Sequence, residues 1–245
     1  VALAVATTNE PIGAQTNPQA RDTWTSVLLV SVADPQKGYA MVYYGTAWFI
    51  GSDGRAITAS HVVWRYLREP GRYVLIGLWG GEAYRADLVC AYPLGDNSPR
   101  YDSTFYRDVA EIRLKPWDGP ADRFVFLRGN PDLTFPMHRG PLPAIPAMSV
   151  AEGAAPMGRV TVPGYGRVSG PLRLHVVRGL VAQSFDSQDG APMLRLSLSQ
   201  PVLPGDSGAP IVNSAGEVIG VTTKIGWEPG AAFGVAASAL RRPCQ

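Results

Sequence analysis

Cysteine is scarce in this sequence: Cys90 and Cys244 are the only two among 245 residues, too few to define a disulfide framework. Two readings stay open, a bridge that ties the C-terminus to the body or a buried thiol beside a separate thiol in the tail. Charge is sparse too. Only 17% of the residues are charged, and 22 basic against 20 acidic side chains leave a formal net charge of +2. No run of roughly five or six like charges occurs, so a nucleic-acid partner is not implied. No apolar run approaches the roughly 18 residues that a spanning helix needs, so no membrane span is expected. No short-period repeat is visible. Histidine is rare, with three in the chain (His61, His138 and His175) and none after position 175.

What is abundant points to a folded β protein. The chain is 46% hydrophobic, the composition of a globular protein rather than a disordered one. Its 27 glycines and 22 prolines break the sequence every ten residues or so, the spacing of turns between short strands. Strand-like segments begin at Thr25 (TSVLLVSV), Ala40 (AMVYYGTAWFI), Arg72 (RYVLIGL), Tyr84 (YRADLVCAY) and Asp108 (DVAEIRL). A second set begins at Arg159, Leu172, Met193, Ala209, Glu217 and Ala231. Each is rich in β-branched or aromatic residues and bounded by turn formers. The helix-like piece of the first half is SHVVWRYL, with Ser60 placed as an N-cap, and Ser238 to Arg242 reads as a last helical turn.

These segments predict an all-β fold of two packed six-stranded antiparallel β-barrels with a short C-terminal helical turn. The expected divisions are a polar leader over 1–24, a first barrel over 25–116, a Pro- and Gly-rich crossing over 117–150 and a second barrel over 151–245. The opening VALAVA resembles the end of a signal peptide, with Ala4 and Ala6 forming a small-x-small pattern before Thr7. The expected location is therefore periplasmic or extracellular.

The segment richest in chemistry is LPGDSGAPIVNSAGEVIGVTT, from Leu203 to Thr223. Glycines on both sides of Ser207 let the chain turn sharply and aim consecutive N–H groups at one point, as an oxyanion hole requires. Gly205 and Ser207 are the expected donors. A serine hydroxyl is too weakly acidic to attack an amide unaided, so it needs a general base oriented by a third group. Because every histidine precedes Ser207, the chain does not follow the α/β-hydrolase order, in which the histidine comes after the serine; Ala209 also replaces that motif's second glycine. His61 ends an apolar strand and opens a short helix, and is the candidate base. His138 and His175 read as solvated or structural. Asp108 opens an alternating strand, whereas Asp96 and Asp102 read as turn residues.

Together, TAWFIGSDGRAITASHVV from Thr46, DVAEIRL from Asp108 and PGDSGAPIVNSAGEVIGV from Pro204 resemble the three catalytic motifs of trypsin-like serine proteases, particularly bacterial ones. Their key residues lie 47 and 99 positions apart, at 61, 108 and 207. VPGYG from Val162 resembles the Gly-aromatic-Gly of the second barrel's opening hairpin, and FGVAA from Phe233 the strand that closes the specificity pocket. The resemblance implies a chymotrypsin-like fold and a secreted serine endopeptidase that cuts polypeptide substrates through an acyl-enzyme. His61, Asp108 and Ser207 would form its catalytic triad, and it would need no cofactor and no metal. Thr223 stands where the family often has a hydroxyl bonded to the buried aspartate. Substrate is expected to lie extended along Thr223, Lys224 and Ile225. By alignment Pro201 falls at the base of the specificity pocket, Val202 and Thr222 on its walls, and Gly234 leaves it room. With no carboxylate among them, cleavage after small or medium apolar residues is expected.

The departures are informative. Val62 replaces the cysteine that many animal trypsins carry beside the histidine. The Val-Ala-Leu start lacks the apolar pair and glycines of an activated zymogen, so Asp206 is expected to support its own loop. Two alternatives share these motifs: a non-catalytic binding module on the same fold, and the protease domain of an HtrA-type quality-control protease. The complete triad and glycines argue against the first. GDSGAP in place of GNSGGP argues mildly against the second.

Overall fold

The structure is a computed structural model that describes residues 24–92, 107–126, 134–152, 157–166, 173–187, 190–226 and 228–240. Ala4, Ala6, Thr7, Asp96, Asp102, Arg242 and Cys244 lie outside the described residues. Six strands close the first barrel: β1 (Val27–Asp34), β2 (Ala40–Phe49), β3 (Arg55–Thr58), β4 (Val74–Trp79), β5 (Glu82–Ala91) and β6 (Ala110–Lys115). They follow the order β1-β2-β3-β6-β5-β4, with every pairing antiparallel. A two-stranded ribbon follows, β7 (Arg123–Val125) on β8 (Thr134–Pro136). The second barrel contains β9 (Arg159–Gly164), β10 (His175–Asp186), β11 (Pro192–Leu198), β12 (Pro210–Asn213), β13 (Val218–Ile225) and β14 (Ala231–Ala236). Its order is β10-β11-β14-β13-β12-β9, again antiparallel throughout.

Strand alternation explains how one apolar run serves two cores. In β1, Leu28, Val30 and Val32 point into the barrel among Phe49, Leu75, Ile112 and Leu114. Leu29 and Ala33 point outward, beneath Trp117, Phe124, Phe126 and Met137. The crossing segment is thus a packed cover rather than a plain connection, and it contains the β7–β8 ribbon that its Pro- and Gly-rich sequence did not announce. Between the barrels, Trp48, Ile57 and Val109 meet Met193, Val212, Val221 and Val235. This shared apolar layer fixes how the barrels face each other, and each large side chain it removes from water stabilises the arrangement by about 1.5–3 kcal/mol.

The helix α1 (Ser60–Arg68) follows β3 directly and buries Val62 and Val63 against the first barrel. Its N-cap is Ala59, with no side-chain cap bond. Ser60, expected to be the cap, instead donates its hydroxyl to the Val109 carbonyl at 2.6 Å, tying the helix start to the chain leading into β6. Arg65 and Arg68 in the last turn suit the negative end of the helix dipole. A 3-10 turn at Ala237–Ala239 follows β14. Among the described residues no helix is long and apolar enough to cross a membrane.

Candidate active site

Asp108 sits immediately before β6 and is fully buried. A buried carboxylate needs compensating donors, and one residue provides two. The His61 backbone N–H donates to Oδ1 at 2.8 Å, and His61 Nδ1 lies 2.5 Å from Oδ2. The first bond is available because His61 is in the opening turn of α1, where backbone N–H groups lack intrahelical acceptors. The second fixes the ring: with Nδ1–H committed to Asp108, the neutral imidazole keeps its lone pair at Nε2. Nearby on β2, burial pushes the Tyr43 phenol up, with the Asp108 charge adding to the effect.

Ser207 comes from the turn between β11 and β12 and is half-buried. Its carbonyl accepts from Thr46 N–H on β2 at 2.8 Å. A Cβ at Gly45 would stand 2.5 Å from Val62 Cγ2 and 2.8 Å from that same Ser207 oxygen. The serine turn and the helix bearing His61 therefore meet over Gly45 on β2. Gly205 has φ +108° and Gly208 φ +88°, a region that side chains rarely adopt. At Gly208 a Cβ would also come within 2.1 Å of Thr46 O. Among the described residues neither the Gly205 nor the Ser207 N–H donates to a protein acceptor, which leaves two adjacent donors available at the nucleophile.

The remaining predicted site residues are placed less uniformly. Thr222 and Gly234 face each other across β13 and β14, and Thr222 Oγ1 is buried with no hydrogen-bond partner among the described residues. Pro201 is exposed, whereas Val202 packs into the core of the second barrel instead of lining a pocket. Gly234 differs from expectation as well. A Cβ there would meet Ile211 Cδ1 at 2.4 Å and Val221 O at 2.6 Å, so the missing side chain makes room for the core and not for a substrate. The Thr223 hydroxyl donates to Phe233 O at 3.5 Å rather than to Asp108. Strand β13, which carries Lys224 and Ile225, pairs with β12 only as far as Val221 but with β14 as far as Ile225. Thr222 still exchanges hydrogen bonds with Gly208 and Ala209, and past it no pairing of β13 with β12 occurs among the described residues.

Two contributors were not visible in the sequence. Thr46, fully buried on β2, donates its hydroxyl to Gly205 O at 2.8 Å and accepts from Tyr165 N–H at 2.9 Å, so one hydroxyl joins the first barrel to the serine turn and to the chain leaving β9. The TAW context around it carries no sign of that role. His175, read as structural, lies 3.1 Å through Nε2 from Asp206 Oδ2. His138 stays away from this site, stacked on Tyr84 and bonded to Glu82 and to Pro141 O.

The sequence profile of the trypsin-like peptidase domain matches residues 45–221. No curated protein sequence matches the chain. Among solved structures, the active form of the Rv3671c protease from M. tuberculosis superposes with a TM-score of 0.58 at 18% identity, covering 98% of this chain and 92% of that one. Its inactive form gives 0.56 at 19%, covering 92% and 90%. An HtrA-type protease, AlgW with a tripeptide, gives 0.60 at 17%, covering 89% of this chain and 58% of that one. At such identities the likeness is one of fold.

Proposed function

This chain belongs to the trypsin-like peptidase family, and from that premise we propose that it is a serine endopeptidase with His61, Asp108 and Ser207 as its triad. The observation that carries the reading is the double attachment of His61 to a fully buried Asp108, with the Ser207 turn and the helix that bears His61 both closing on Gly45. An imidazole held in that way has one task left for its other nitrogen, which is to take a proton from the nucleophile.

Ser207 Oγ attacks the scissile carbonyl as His61 Nε2 removes its proton, and Asp108 stabilises the imidazolium. The carbonyl oxygen, now negative, receives the Gly205 and Ser207 N–H groups. Each such donor contributes on the order of 10²–10³ in rate because its dipole is already in place. His61 then gives its proton to the leaving amine, and water repeats the sequence to release the acyl group.

A polypeptide substrate lies extended along Thr223, Lys224 and Ile225, at the edge of β13 that β12 leaves uncovered, as in strand addition. No carboxylate stands at Pro201 or Thr222, the two expected pocket positions that the structure does not give over to packing in the core, to attract a basic side chain. Cleavage is therefore expected after small or medium apolar residues. Cys90 is disulfide-bonded, and such bonds persist in oxidising compartments, which supports a periplasmic or extracellular location. Digestion of a peptide library tests the reading. Cleavage that follows small or medium apolar residues and disappears in S207A is expected; a profile dominated by Arg or Lys contradicts the pocket assignment.

A further inference from the structure

The carboxylate next to the nucleophile is buried against a histidine from a different strand. Asp206 is 1% exposed. Its Oδ2 accepts from Leu203 N–H at 2.7 Å and lies 3.1 Å from His175 Nε2. Asp206 Oδ1 and His175 Nδ1 are both buried without partners. Among the described residues, His175 is thus the only side chain bonded to this carboxylate. The pair has a built compartment. A Cβ at Gly164 would come within 2.3 Å of Asp206 Oδ1, and one at Gly166 within 2.4 Å of His175 Cε1 and 2.8 Å of both carboxylate oxygens. The Gly-Tyr-Gly of the second barrel's opening hairpin therefore clears the space that the pair fills.

We propose that His175 is a positioning residue for the oxyanion hole: by holding Asp206 inside, it fixes the turn that presents the Gly205 and Ser207 N–H groups. The inference rests on the protease reading. Asp206 is the hub of that turn, since its N–H donates to Leu203 O and its carbonyl accepts from Ala209 N–H, both at 2.9 Å. Without His175 the carboxylate would keep a single backbone donor in a site closed to water, a costly state for a charge. Rotating the carboxylate outward relieves that cost, and the rotation carries the Asp206–Ser207 peptide, which holds the Ser207 N–H, and through the Gly205–Asp206 peptide it turns the glycine whose N–H is the second donor. Neither Asp206 nor His175 touches the reacting atoms; they act through the backbone.

The experiment compares wild type, H175L, H175Q, D206N and D206N/H175L, each first shown to be folded by thermal unfolding, for fluorophosphonate labelling rate and for kcat and KM on a peptide substrate. H175L is expected to lose on the order of 100-fold in labelling and kcat with KM little changed, the scale of a displaced oxyanion donor. H175Q, whose amide reaches about as far as Nε2, should recover most of the loss. Adding H175L to D206N should cost nothing more, because the two residues act as one unit. Should H175L fail to fold, H175N replaces it, since its shorter amide stops short of Asp206. Equal labelling of wild type and H175L, equal losses in H175Q and H175L, or losses that multiply in the double variant would each overturn the assignment. A folded wild type that does not label overturns the protease reading itself.

Discussion

Replacing Thr46 by valine keeps the shape of the side chain and removes one oxygen, and the consequences of that exchange can be worked from the contacts it makes. The Thr46 hydroxyl is fully buried, gives a hydrogen bond to Gly205 O at 2.8 Å and takes one from Tyr165 N–H at 2.9 Å. Valine leaves both backbone groups unpaired where water does not reach. Each orphaned group costs about 1–3 kcal/mol, so T46V should lose about 2–6 kcal/mol of stability, less whatever the turn recovers by moving. For a chain of this length each kcal/mol lowers Tm by about 2–4 °C, which puts the expected drop between about 4 and about 24 °C. Any recovery by movement displaces Gly205, and misplacing a catalytic donor by about 1 Å costs on the order of 100-fold in rate. Differential scanning calorimetry and peptide-hydrolysis kinetics measure both effects, and T46S, which retains the hydroxyl, should restore most of each. The reasoning fails if T46V melts within about 2 °C of wild type with unchanged kcat, or if T46S is as damaging as T46V.

Asp108→Asn tests the orientation of the base. An amide can accept from only one of the two His61 donors and turns its own N–H₂ toward the other, so kcat should fall by about 10⁴-fold while the fold survives; a loss of less than tenfold would show that the bond to Nδ1 is dispensable. His138 gives a pH signature. Its pKa is raised from the ordinary 6.5, first by the Pro141 carbonyl and further by Glu82, against an opposing effect of burial. A histidine raised on folding stabilises fully below its unfolded pKa, and that stability is lost as pH climbs through the folded value. Between about pH 6 and pH 8, wild-type Tm should therefore fall relative to H138Q, and parallel Tm curves would refute the assignment.

The paired barrels could be read from the sequence because their signals are local. In β10 the alternation of Val177 and Val181 with exposed Val176, Arg178 and Leu180 is visible in the residue order, and Gly-Asp-Ser-Gly needs its glycines where the turn is built. Elements held by distant partners were not legible. The β7–β8 ribbon is short, and it exists because Phe124 and Phe126 cover the outside of β1, which nothing within the crossing segment reveals. Ser60 had the composition of a cap, but Val109, brought close by the β3–β6 pairing, captured its hydroxyl. Gly234 occupies a pocket-like position in the sequence, yet Ile211 from a strand two places away fills the direction of its missing side chain. Thr46 and His175 act through Gly205 and Asp206, about 160 and 31 residues away in sequence. Their importance comes from strand pairing rather than from any motif around them.

Whether Ser207 is an activated nucleophile can be read from its reaction with a fluorophosphonate probe, which captures a serine only when a base and oxyanion donors are assembled around it. Wild type, shown to be folded by its thermal transition, should label at one site, with the adduct on Ser207 by mass spectrometry, and S207A should not label. A folded wild type that stays unlabelled, or labelling that persists in S207A, would contradict the assignment of His61, Asp108 and Ser207 as a working triad.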